Sequence, residues 1–171
     1  MTITINGSGT IGGVTAGGLP SGTVTKPVVA TGVGGTGPAF SAGCTSGTTV
    51  SNATFTKMPF QYVDFDTAGC YNNTTYRFTP TVAGYYNVIG RQQWTSSAGA
   101  SENFIAVYKN GAEVKRGWGT AWNIGIEALI YLNGSSDYIE LYCYQASGGS
   151  VSLNGASSVY STFAAFLARS A

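Results

Sequence analysis

Gly7, Gly9 and Gly12 spell G-x-G-x-x-G after a short alternating run. In a strand–turn–helix unit this spacing cradles a pyrophosphate on a helix N-terminus, and an acid about 20 residues later holds the ribose. Neither partner follows. The next stretch, GVTAGGLPSG, is too rich in glycine and proline for a helix, and the first acid in the chain is Asp64. A dinucleotide site is therefore not expected, and no cofactor is implied.

The remaining reactive groups are sparse. There is no histidine, which removes imidazole bases, Ser–His and Cys–His pairs and the commonest metal ligand. Glu102, Glu113, Glu127, Asp137 and Glu140 are scattered, and the sequence pairs no two of them as the carboxylates that glycoside hydrolysis demands, so no catalytic residue is assigned. Asp64 and Asp66 are the sole close acidic pair, short of the oxygen ligands a calcium cage needs. Cys44, Cys70 and Cys143 lack C-x-x-C spacing and read as small core hydrophobes rather than zinc ligands. One stretch could bind a ligand. KRGWGTAWN brings Lys115, Arg116, Trp118, Trp122 and Asn123 into an expected loop or edge, with flat rings beside polar groups, as glycan sites require. Burial of these tryptophans between subunits is the competing expectation. Trp94 reads as core.

The elements that would position these residues fall into two regions. Residues 1–37 hold eleven glycines, one charge (Lys26) and no aromatic residue, so they cannot bury a core of their own. Their polarity comes from Thr and Ser, which leaves two readings: a flexible glycine-rich linker, or, as expected here, an arm whose short alternating pieces at Thr2–Ile5 and Thr23–Val29 add strands to neighbouring chains. Residues 38–171 carry every aromatic residue. In DYIELYCY, Ile139, Leu141 and Cys143 lie on one face, while Tyr138, Glu140, Tyr142 and Tyr144 lie on the other. FIAVYK (104–109), IEALIYL (126–132) and YSTFAAFLA (160–168) are also strand-like, with turns expected at NGAE, NGSSD and SGGS. This pattern predicts an all-β sandwich. Aromatic residues on both faces of a strand predict that the second face is covered, in an oligomer by a partner subunit.

Only 9% of residues are charged, with a net charge of +1, so no basic footprint for nucleic acid is visible. No apolar run approaches the ~18 residues that span a membrane. No cleavable leader is recognised, which leads to the expectation of a protein not exported by a signal peptide. The sequons at Asn6, Asn52, Asn72, Asn73 and Asn133 are discounted on that basis.

The stretch FQYVDFDTAGCYNNTTYRFTPTVAGYYNV places Phe60, Asp66, Tyr71, Phe78, Gly84 and Tyr86 at intervals that resemble the signature of the globular head of complement C1q and its tumour-necrosis-factor-like relatives. GPAFSAG (37–43), with Phe40, resembles the first strand of that family, and TFAAFLA (162–168) its last. Val88 and Gly90 depart from the family's aromatic preference. The resemblance implies a ten-strand jelly roll over residues 38–171 that assembles as a homotrimer and binds rather than catalyses. Phe60, Tyr71, Phe78 and Tyr86 would be core or subunit-facing anchors on successive strands, and Gly84 would occupy a turn. These residues would make the fold and not a site.

NGSGTIGGVTAGGLPSGTV resembles segments of bacteriophage tail-fibre and related virion proteins. That implies a virion location, with residues 1–37 contacting other virion proteins. The leading expectation is a trimeric tail fibre or fibre tip that adheres to a host surface glycan or protein. A capsid decoration (head-fibre) protein is the alternative, and a spike depolymerase or a secreted lectin-like module is a more distant one.

Overall fold

A computed structural model describes residues 37–45, 47–95, 102–155 and 159–171. The G-x-G-x-x-G run and the arm up to residue 36 lie outside the described residues. Alternation dominates the rest, and every element is a strand. They are β1 (Ala39–Gly43), β2 (Thr49–Val50), β3 (Thr56–Lys57), β4 (Tyr62–Asp66), β5 (Tyr71–Asn72), β6 (Arg77–Phe78) and β7 (Ala83–Gln93). Then come β8 (Asn103–Lys109), β9 (Ala112–Gly119), β10 (Asn123–Asn133), β11 (Ile139–Gln145), β12 (Val151–Ser152) and β13 (Thr162–Ser170).

Two sheets form a sandwich. One has the order β10-β7-β13-β1-β4; the other has β5-β6-β11-β8-β9, with β3 added on β11. A two-stranded ribbon, β12-β2, completes the set. All pairings between strands are antiparallel. The resemblance implies ten strands; the described residues carry thirteen segments, ten along the two five-strand paths and three short additions.

The core lies between the sheets. Phe40 stacks on Tyr71 and Phe78, each at 4.6 Å, and meets Phe163 edge-on at 4.8 Å. Phe60, Phe78, Tyr86 and Trp94 are fully buried, and so are Cys44 and Cys143. The Tyr71 hydroxyl donates to the Phe60 carbonyl (2.8 Å), and the Tyr86 hydroxyl donates to that of Val82 (2.7 Å). Burial pushes the Tyr86 hydroxyl up to about 12 and raises that of Tyr71 further. Asp66 closes β4 by accepting the Tyr71 N–H at 2.8 Å.

Two expectations are corrected. Phe60 is buried in the connection between β3 and β4, not on a strand. Gly84 lies inside β7, not in a turn, and is paired with Leu132 and Ser170. A Cβ there would come within 2.4 Å of the Arg169 carbonyl oxygen, so glycine is required by the close approach of β13.

The expected turns do lie between strands. Asn110 (φ 54°) and Gly111 (φ 81°) both adopt the left-handed conformation that a two-residue hairpin between β8 and β9 needs. Asp137 ties this turn to the one at Asn133. It accepts from Asn110 Nδ2 (2.7 Å) and the Asn133 N–H (3.0 Å) and pairs with Lys109 (2.8 Å). The bonds from Lys109 and then Asn110 hold its carboxyl below the usual aspartate range.

Candidate binding surfaces

KRGWGTAWN is a strand with a tight connection rather than a loop. Lys115, Arg116 and Trp118 belong to β9, the edge strand of the six-stranded sheet; Trp122 lies in the connection to β10, and Asn123 opens β10 opposite Gln93. The five residues do not form one site. Trp118 pairs with Phe104 and Arg116 with Ala106, placing both on the outer face of the sheet. Lys115 pairs with the inward-facing Val107 and starts from the opposite face of β9. The Trp122 carbonyl accepts the Trp94 N–H at 3.0 Å. Both tryptophans are exposed, Trp118 at 65% and Trp122 at 52%.

The outer face around Arg116 was not legible as a unit in the sequence. Phe55 reaches over it from the connection between β2 and β3, 5.0 Å from Tyr144, which is itself 5.1 Å from Phe104. The Arg116 guanidinium sits over the Phe104 and Phe55 rings at 4.8 and 5.0 Å. Its Nε and Nη2 donate to the two oxygens of Glu113 at 2.8 and 2.7 Å, a bidentate pair. Residues three apart on a regular strand point to opposite faces. Here the register shift opposite Val107 and Tyr108 inserts Val114 and turns Glu113 onto the side of Arg116.

A second ionic cluster lies on the same sheet. Glu140 is 2% exposed, and its Oε1 accepts from Lys57 Nζ (2.6 Å) and Arg77 Nε (2.5 Å). Burial alone would raise this carboxyl. The two hydrogen bonds and the two positive charges outweigh it and hold the group below the usual glutamate value.

The five-stranded sheet has a different outer face. Tyr85, Ile89, Leu129, Tyr131, Phe166 and Phe65 stand exposed on it, Leu129 at 58%. The register places Tyr131 beside Tyr85, with ring centroids 5.5 Å apart, and Phe166 beside Asn87 and Ala39. A trough of about 500 Å³ runs between Tyr85, Leu129 and the terminal residues 168–171. Among the described residues, no three Cys, Asp or Glu side chains gather as a metal site, and no helix is long and apolar enough to cross a membrane. Asp64 and Asp66 are engaged separately, by the Ser41 hydroxyl and by the backbone N–H groups of Ala68 and Tyr71.

No family model and no curated protein sequence matches this chain. Solved structures do. The globular domain of zebrafish complement 1qA is 14% identical, with a TM-score of 0.56, over 78% of this chain and 99% of that one. Eiger TNF from S. frugiperda is 10% identical, TM-score 0.58, over 79% and 95%. Murine APRIL is 9% identical, TM-score 0.59, over 77% and 98%. The head has the jelly-roll fold of C1q and tumour-necrosis-factor globular domains. At these identities the likeness speaks to fold alone.

Proposed function

We propose that this chain is a bacteriophage virion protein: a homotrimeric, non-catalytic tail fibre or fibre tip that attaches to the host surface. Residues 1–37 dock on other virion proteins, and residues 38–171 form the outward-facing head. The observation that carries the oligomer is the outer face of the five-stranded sheet. Five large apolar side chains on three adjacent strands, β10, β7 and β13, face water in the single chain, beyond what isolated surface hydrophobes account for. Three copies packed by this face around an axis would bury it, and the likeness to C1q-type heads favours three. A trimer repeats one weak site three times, which suits adhesion to a repetitive surface through avidity. The resemblance of the arm to tail-fibre segments supports the virion location.

Gold-labelled antibody against residues 38–171 on intact particles, viewed by electron microscopy, tests this reading. Gold at the tail or baseplate is expected. Gold over the capsid would replace the fibre with a decoration protein, and particles without gold would end the virion assignment.

A further inference from the structure

We infer that the outer face of β9 is a saccharide-recognition site, in which Trp118, Arg116 and Glu113 take an uncharged pyranose bearing vicinal hydroxyls. This rests on the adhesive reading above and names the ligand class for it.

A Cβ on Gly117 would lie 2.9 Å from the Gly125 carbonyl oxygen and 3.1 Å from Ile105, so Gly117 points into the sandwich. Its neighbours Arg116 and Trp118 therefore point out, away from the five-stranded sheet whose far face is assigned to the trimer. The large exposed Trp118 ring thus stays accessible when that face is covered.

A pyranose has an apolar C–H face that stacks on an indole, and a rim of hydroxyls that seek paired donors and acceptors. Glu113 and Arg116 supply both. Their bidentate bond uses two guanidinium N–H groups and leaves the others, together with the remaining carboxylate lone pairs, for a vicinal diol. The pair is held before any ligand arrives, because Arg116 is fixed over Phe104 and Phe55. Less side-chain freedom is then lost on binding.

Charge selects the sugar. Arg116 is neutralised by Glu113, and Lys115 starts from the opposite face of β9. Lys57 and Arg77 are both engaged by Glu140 on β11, two strands across the sheet from β9. The Trp118 end therefore offers hydrogen bonding without an unpaired cation, and a uronate would meet the Glu113 carboxylate.

The test is saturation-transfer NMR on the full chain with methyl glucopyranoside, galactopyranoside and mannopyranoside, and with methyl glucuronate as the charged control. Saturation is expected at the ring C–H protons of at least one neutral glycoside. Trp118→Ala and Arg116→Met, each checked for an unchanged circular dichroism spectrum, should weaken that binding roughly tenfold or more, or about 1.4 kcal/mol; Trp122→Ala should leave it intact. Transfer to the glucuronate alone, transfer to none of the four, or equal loss in Trp122→Ala overturns the site. Adhesion of the same proteins to host cells separates this failure from that of the broader reading. Adhesion that survives Trp118→Ala unchanged removes the site and leaves the adhesin, whereas a wild-type chain that binds sugar but no cell keeps the site and removes the adhesin.

Discussion

Replacing Glu140 with glutamine removes one negative charge from a network that holds β3 and β6 against β11. The carboxylate is 2% exposed, while its partners Lys57 and Arg77 are 26% and 41% exposed. Breaking a fully buried pair from one side typically costs about 3–5 kcal/mol, because the stranded charge stays dry. Here both stranded cations can turn to water, and the glutamine carbonyl retains one acceptor, so the expected cost is about 2 kcal/mol. With a urea slope of roughly 1–3 kcal/mol per molar, the unfolding midpoint should fall by about 1 M near neutral pH, measured at one fixed chain concentration. The pH dependence carries the sharper test. The folded-state value of Glu140 is depressed below an unfolded value of about 4.3, so its stabilisation is complete above that value and is lost as pH falls through the folded one. The gap between wild type and Glu140→Gln should therefore close in acid. A gap below ~0.5 kcal/mol at neutral pH, or one that persists unchanged in acid, would refute the claim that this charge pins the short strands.

Gly84→Ala places a Cβ against the Arg169 carbonyl and should lower stability by about 1–3 kcal/mol in thermal melts. Gly69→Ala, which meets nothing within 4 Å but keeps a φ of +62°, should cost only ~1 kcal/mol. For the proposed trimer, Leu129→Asp on the apolar outer face should yield a folded monomer by light scattering, with an unchanged circular dichroism spectrum; a trimer that persists would place the interface elsewhere. Both amide atoms of the fully buried Gln92 lack a partner among the described residues, so Gln92→Met should raise stability by about 1–3 kcal/mol, read as a higher urea midpoint. A lowered midpoint would show that internal water bridges it. Burial pushes the Cys44 thiol up to about 12 and raises that of Cys143 as well, so neither should react with a disulfide reagent near about pH 8 until the chain unfolds.

Alternation sufficed where strands are long and two-sided. The inward set Ile139, Leu141 and Cys143 was readable because a period of two over seven residues admits no helix. The turn at Asn110 and Gly111 was readable because few residues accept a positive φ. Trp94 and the cysteines were recognisable as core by type. Two-residue strands such as β2, β5 and β12 carry no period and exist only because a partner strand lies beside them.

The binding surface needed the third dimension for the same reason. KRGWGTAWN has the glycine content of a loop, but Gly117 serves the close crossing of β9 over β10. Glu113 and Arg116 are three residues apart, which on a regular strand would part them; the bulge at Val114 joins them. Phe55 and Phe104 are far apart in the chain and meet only because β8 pairs with β11 and the segment before β3 folds over both. The sequence by itself determined that this chain would build a sandwich of short strands with an apolar interior and a sparsely charged surface, because those follow from local periodicity and composition. Only the tertiary structure decided which rings and which ion pair share a face, because register and bulges are set by the partner strand and are invisible to the strand that carries the residues.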